Sequence, residues 1–132
     1  MKINLSHNIK VAENILKGYW KEKPIKKFVK PKFKIVFISL KRKNSVDGFL
    51  YAYDINDGYF RNCIIDELTI KRKSDKEGIK SLLRKLIIYC KKEKIQDIIC
   101  ATIEKKDKIE ISSFKEIGFI IENGLIAKWE GL

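Results

Sequence analysis

The feature that most constrains this chain is residues 63–83, CIIDELTIKRKSDKEGIKSLL, where an apolar segment runs through a basic stretch into a helical pattern. A strand feeding a helix over so short a distance needs a sheet beside the strand and a core beneath the helix, as α/β and α+β proteins provide. The layout presents a strand edge, then free amides, then a helix N-terminus whose partial positive charge favours anions. That is what a phosphate-bearing cofactor requires, and it is also an ordinary way to join a strand to a helix.

The flanking patterns extend this unit. From Ile79, the apolar positions Leu82, Leu83, Leu86, Ile87 and Cys90 keep helical spacing, which predicts a helix over residues 79–93. The continuous apolar run Ile98, Ile99, Cys100 and Ala101 reads as a strand covered on both faces, parallel to the strand ending near Ile70, with the helix as crossover. Upstream, residues 33–40, 48–55 and 60–70 read as three strands joined by KRKNSVD and by Asn56, Asp57 and Gly58, an antiparallel meander. Residues 2–5 form a strand, and Ser6 or Asn8 caps a helix reaching about Trp20. Residues 23–31, with Pro24 and Pro31, form a loop. A helix over 109–117 and strands over 119–121 and 125–129, around the turn pair Asn123 and Gly124, complete the order β, α, β, β, β, α, β, α, β, β. At 132 residues this makes one domain with one mixed sheet.

Composition bears on partners. The 29 basic and 17 acidic residues give a net charge of +12, which invites a nucleic-acid reading. Most of the cations are lysines and isoleucine is as abundant, so the excess is as much a compositional bias as a patch. Its densest part, residues 17–34, interleaves Tyr19, Trp20, Phe28 and Phe33 with lysines. Such a stretch either stacks bases or anchors a solvated connection to the core. No 18-residue apolar run and no signal-peptide centre are present, so a soluble cytoplasmic protein without a membrane span is expected. Cys63, Cys90 and Cys100 lack a CxxC pairing and read as reduced core residues. His7 is the only histidine, and neither a metal site nor a base is expected of it.

With these elements in order, the chain resembles the GCN5-related N-acetyltransferase (GNAT) superfamily over nearly its whole length. The superfamily's cofactor motif has an aliphatic residue ending the fourth strand, then, five positions on, Arg or Gln, followed by x-x-Gly-x-Gly/Ala. Ile70 takes the aliphatic place and Gly78 the first glycine, and Ile79, Ser81 and Leu83 match the continuation. SSFKEIGF at 112–119 resembles the superfamily's Tyr-x-x-x-Gly-Phe segment, with Gly118 and Phe119 in place. The resemblance implies acetyl-CoA or another acyl-CoA as cofactor, with its pantetheine pairing along the fourth strand at Leu68 and Ile70. Its pyrophosphate would lie on the loop and first turn formed by Arg72, Lys73, Lys76, Gly78, Ile79, Lys80 and Ser81. Two positions depart: Asp75 stands in the Arg/Gln place and Lys80 in the second Gly/Ala place. Ser74 and Glu77 also fit a capping box, which would occupy the same amides.

Amine acylation needs a base for the ammonium and an acid for the departing thiolate. The tyrosine that serves many relatives as acid is matched here by Phe114, leaving Ser112, Ser113, Cys100 and Tyr89 as substitutes. For the base, Asp66 and Glu67 lie in the fourth strand, where alternation sends one toward the cleft and a bulge would reverse the parity. Glu104, just past the fifth strand, is a third candidate. Two functions follow. One is an acetyl-CoA-dependent N-acetyltransferase whose acceptor is an acidic small molecule, a peptide N-terminus or an RNA-bound amine. The other is a catalytically degenerate module of the same fold that binds nucleic acid or a protein partner. Monomer and homodimer both remain open.

Overall fold

Three long strands in sequence, the first two buried on both faces at their centres, pair as a meander and set the rest of the fold. The computed structural model describes residues 1–19, 33–56, 58–100, 108–122 and 126–129. Its elements are β1 (Lys2–Ser6), α1 (Ile9–Tyr19), β2 (Lys34–Arg42), β3 (Ser45–Asn56), β4 (Arg61–Ile70), α2 (Lys76–Lys92), β5 (Asp97–Cys100), α3 (Lys108–Ile117), β6 (Ile120–Glu122) and β7 (Ile126–Trp129). They form a seven-stranded sheet in the order β1-β2-β3-β4-β5-β7-β6. Every pairing is antiparallel except β4 with β5, whose parallel register is bridged by α2. The expected mixed sheet, with its meander and crossover, is therefore present.

Side-chain alternation divides the sheet into two buried faces. Val36, Ile38, Leu40, Leu50, Ala52, Cys63 and Ile65 meet α2 and α3, while Ile35, Phe37, Phe49 and Tyr51 meet Ala12 and Leu16 of α1. All three cysteines lie in the interior, and Cys90 followed by burial pushes the Cys63 thiol well up. No helix among the described residues is long and apolar enough to cross a membrane.

Local chemistry fixes the helix ends. Asn8 caps α1, its Oδ1 accepting the Lys10 N–H at 2.9 Å. His7 does not face a site: Nδ1 lies 2.8 Å from the Ile35 carbonyl oxygen and its ring rests on Tyr89. At the end of α3, Gly118 takes φ 113°, the Phe119 N–H donates to the Phe114 carbonyl at 3.0 Å and the Gly118 N–H to that of Lys115 at 3.1 Å. This is a Schellman closure, and its accompanying apolar contact is the edge-to-face pair Phe114 and Phe119, 4.9 Å between centroids.

The β2–β3 turn is tighter than the sequence suggested. KRKNSVD is not a loop but the ends of two strands around Lys43 and Asn44, with Lys43 at φ 57°. The loop over 23–31, most of the basic aromatic stretch and the Asn123–Gly124 turn lie outside the described residues.

Candidate functional site

The candidate site is built where β4 leaves the sheet. Its parallel pairing with β5 involves Asn62, Cys63, Ile64 and Ile65. Beyond Ile65, over residues 66–70, β3 is the only strand paired with β4 among the described residues. The β5-side edge over Leu68 and Ile70 thus presents backbone groups to whatever enters between the strands. The Leu68 and Ile70 side chains turn inward onto the main core.

A bulge decides the parity question. Tyr51 pairs with Glu67 and Ala52 with Ile65, so Asp66 is an extra residue. Cys63 and Ile65 share the α2 face with Leu68 and Ile70, which sends Glu67 and Thr69 to the α1 face beside Tyr51 and Phe49. Thr69 Oγ1 donates to Glu67 Oε1 at 3.3 Å. Asp66 acts on the same neighbourhood: burial first, then Tyr53, then the charges of Asp66 and Glu13 push the Tyr51 phenol above its ordinary value. The bulge therefore gathers both carboxylates near Tyr51 rather than separating them. Glu104 lies outside the described residues.

A second bulge shapes the loop that follows. Leu40 pairs with Gly48 and Lys41 with Val46, leaving Asp47 over. Asp47 accepts the Lys71 N–H through its carbonyl at 2.6 Å, Ser45 Oγ through Oδ1 at 2.9 Å and Arg42 Nη1 through Oδ2 at 3.3 Å. Arg42 also forks onto Asp75, Nη1 donating to Oδ2 and Nη2 to Oδ1 at 3.1 Å. Arg42 first, aided by the Gly78 N–H, holds the Asp75 carboxyl below the usual carboxylate range despite its partial burial.

Asp75, not Ser74, is the N-cap of α2. Its Oδ1 accepts the Gly78 N–H at 2.9 Å and its carbonyl the Ile79 N–H at 3.2 Å. The Lys76 N–H donates to the Ser74 carbonyl at 2.9 Å. Of the residues the resemblance assigned to the diphosphate, Lys76, Gly78 and Ile79 thus have engaged amides, while that of Lys73, with those of Ser74 and Glu77 beside it, makes no hydrogen bond among the described residues. Gly78 sits close to its neighbours: a Cβ there would lie 2.5 Å from Asp75 Oδ2 and 2.8 Å from Ile70 Cδ1, so both side chains would have to shift to admit one. The same Ile70 atom would meet a Cβ on Gly48 at 2.6 Å.

The loop cations divide likewise. Lys76 pairs with Glu116 of α3, and Lys80 with Glu77 at 3.7 Å. Arg72 and Lys73 are exposed and form no ion pair among the described residues. Ser81 is half-buried on α2.

The substitutes for the missing tyrosine are mostly engaged elsewhere. Phe114 is fully buried. Ser113 donates to the Ile109 carbonyl at 2.6 Å, and Tyr89 donates to Asp54 at 2.8 Å, at the far end of α2. Cys100 is buried, and Ser112 is 3.4 Å from Glu116 on an exposed surface. Arg42 is the residue that sequence reasoning missed. Its contact with Asp75 spans 33 positions and depends on the β2–β3 register.

No family model matches the sequence, and no curated protein matches it. Solved structures do resemble it in three dimensions. A probable acetyltransferase from Staphylococcus epidermidis superposes with a TM-score of 0.70 at 14% identity, covering 99% of each chain. An N-acetyltransferase, PaiA, from Thermoplasma acidophilum in complex with coenzyme A gives 0.64 at 15%, covering 98% of this chain and 99% of that one. The aminoglycoside 6'-N-acetyltransferase from Enterococcus faecium gives 0.66 at 12%, covering 98% and 97%. The fold is that of the GNAT acetyltransferases.

Proposed function

We propose that this chain, built on the N-acetyltransferase fold, is an acetyl-CoA-dependent N-acetyltransferase acting on an amine. One observation carries the reading: among the described residues, the β5-side edge of β4 over Leu68 and Ile70 has no paired strand and runs directly into a loop where the amides of Lys73, Ser74 and Glu77 and the cations of Arg72 and Lys73 have no partner. Backbone groups at Leu68 and Ile70 would pair with the amide-bearing arm of the cofactor. The amides of Lys73, Ser74 and Glu77, with the Arg72 and Lys73 side chains, would receive its diphosphate. Asp75 does not oppose this, because Arg42 neutralises its carboxylate. When bound, the cofactor supplies an activated acyl thioester.

The chain's own part is to position the amine and take its proton. Glu67 is the stronger candidate, because the bulge turns it to the α1 face, where Thr69 orients its carboxylate. Asp66 beside it adds negative charge that favours an approaching ammonium. Phe114 cannot protonate a thiolate, so the acid is another group or a water molecule.

Calorimetric titration with acetyl-CoA, followed by an acyl-transfer assay over a panel of amines, tests the reading. Micromolar cofactor binding and turnover are expected. Glu67→Gln is expected to lower turnover about a hundredfold while leaving cofactor affinity unchanged. Binding without turnover for any amine would favour the degenerate module, and absence of binding would overturn the cofactor assignment.

A further inference from the structure

A polar cavity of about 590 Å³ lies beside the cofactor loop, between the β2–β3 turn and the start of α2. Arg42 and Lys43 line it from one side and Lys71 and Arg72 from the other, with Ser45 and Ser74 contributing hydroxyl groups. Asp47 and Asp75 are its only acidic lining residues among those described, so there four cations face two carboxylates, an excess of two positive charges. Both carboxylates are occupied internally. Asp47 holds Ser45 and Arg42, and Asp75 holds Arg42 and the Gly78 amide.

The donor inventory of Arg42 sharpens the picture. A guanidinium has five N–H groups in one plane. Asp75 takes the two at the tip and Asp47 the outer one on Nη1. The remaining two, Nε–H and the outer N–H of Nη2, share one edge of the plane and make no bond among the described residues. Such an edge matches two oxygens of a phosphoryl group. The carboxylates therefore act as a brace, fixing the guanidinium so that its unused edge is held in place. Lys43, at the rim, is kept by the turn at φ 57°, an uncommon conformation for a residue with a side chain.

The cavity is too large for a lone phosphate and within the range of small-molecule sites. Among the described residues no aliphatic or aromatic side chain lines it, which argues against the acyl or pantetheine end of a cofactor. Arg72, Ser74 and Asp75 are shared with the proposed diphosphate loop. A phosphate one ribose away from that diphosphate would fall beside it.

Resting on the acetyl-CoA reading above, we propose that this cavity holds the 3'-phosphate of the cofactor's adenosine, with Arg42, Lys43 and Arg72 as its ligands. The chain then selects coenzyme A over its 3'-dephospho form with residues drawn partly from the β2–β3 turn.

Calorimetry with coenzyme A, 3'-dephospho-coenzyme A and adenosine 3',5'-bisphosphate tests this on the whole chain and on the variant Lys43→Gln/Arg72→Gln. Both substituted residues are exposed, and thermal unfolding verifies the fold. The unsubstituted chain is expected to bind coenzyme A about tenfold more tightly than the dephospho form, and the variant to bind the two alike. If coenzyme A binds but the two forms are equivalent, or the preference survives in the variant, the cavity assignment is overturned and the cofactor reading stands. If coenzyme A does not bind but the bisphosphate does, with loss in the variant, the cavity stands as a phosphomonoester site and the cofactor reading falls. Binding of none of the three overturns both.

Discussion

The two ends of α2 each carry an arginine–aspartate pair, and the difference between them separates structure from function in this molecule. At the C-terminal end, Asp54 of β3 is nearly buried, with 3% of its side chain exposed. It accepts Arg61 Nε at 3.0 Å, Arg61 Nη2 at 2.7 Å and the Tyr89 hydroxyl at 2.8 Å. Arg61 also donates to the Glu93 carbonyl at 2.7 Å, closing the helix end. At the N-terminal end, Arg42 and Asp75 are more open, at 33% and 14%, and the guanidinium keeps an edge unused. Each arginine makes three hydrogen bonds, but the first pair is the more buried and staples strand, strand and helix, while the second braces a loop beside a cavity. Identical residue types are told apart here by the burial of the carboxylate and by what surrounds the guanidinium.

The largest effect should come from breaking the more buried pair. Arg61→Ala leaves a buried carboxylate with a single phenol and is expected to cost about 3 kcal/mol in urea unfolding. The variant should still bind any ligand of the other end if assayed where it remains folded.

Asp75→Ala removes the cap and one partner of Arg42, at about 1–2 kcal/mol. Asp75→Asn keeps a cap but drops the charge. It should cost less and leave acetyl-CoA affinity within about twofold, because Arg42 already neutralises the carboxylate, and calorimetry and unfolding together would reveal this.

Acid probes both ends at once. Burial acts to raise the Asp54 carboxyl, but hydrogen bonds from Arg61 and Tyr89 outweigh it and hold it below the usual range, as Arg42 does for Asp75. Below about pH 4 the unfolded chain therefore binds protons that the folded one does not. The stability from both groups is present above that pH and is lost as pH falls through the lowered values. Unfolding curves from pH 6 to 2 should show this slope, and Asp54→Asn should flatten it. The smallest effect belongs to the exposed pair Lys76 and Glu116, where Lys76→Ala should leave the unfolding midpoint unchanged within error.

Much of the fold was legible because it rests on periodicity. The meander, the α2 crossover and the last hairpin follow from alternation and helical spacing. The start of α2 was read three residues late, since Gly78 looks like a break. It is instead an interior position of the first turn, where a side chain would crowd Asp75 and Ile70. The site was less legible because it depends on departures from period. Each bulge inserts an aspartate, Asp47 or Asp66, that alternation cannot locate. The Arg42–Asp75 fork exists only once β2, β3 and β4 are in register. The matching skeleton also changes meaning on inspection. Gly118 and Phe119 close α3, and Ile70 and Gly78 are fitted to each other, so these matches speak for the fold rather than for chemistry.

Ile70 ties two glycines to one corner of the molecule. Its Cδ1 would stand 2.6 Å from a Cβ on Gly48 and 2.8 Å from one on Gly78, so it fills the space between β3, β4 and the first turn of α2. Each glycine has a second neighbour: the Thr69 carbonyl would lie 2.9 Å from a Cβ at 48, and Asp75 Oδ2 2.5 Å from one at 78. Backbone therefore closes position 48 whatever stands at 70, whereas at 78 two side-chain ends would have to give way together. The helix cap, the strand end and the hairpin are thus adjusted to one another through a single methyl group.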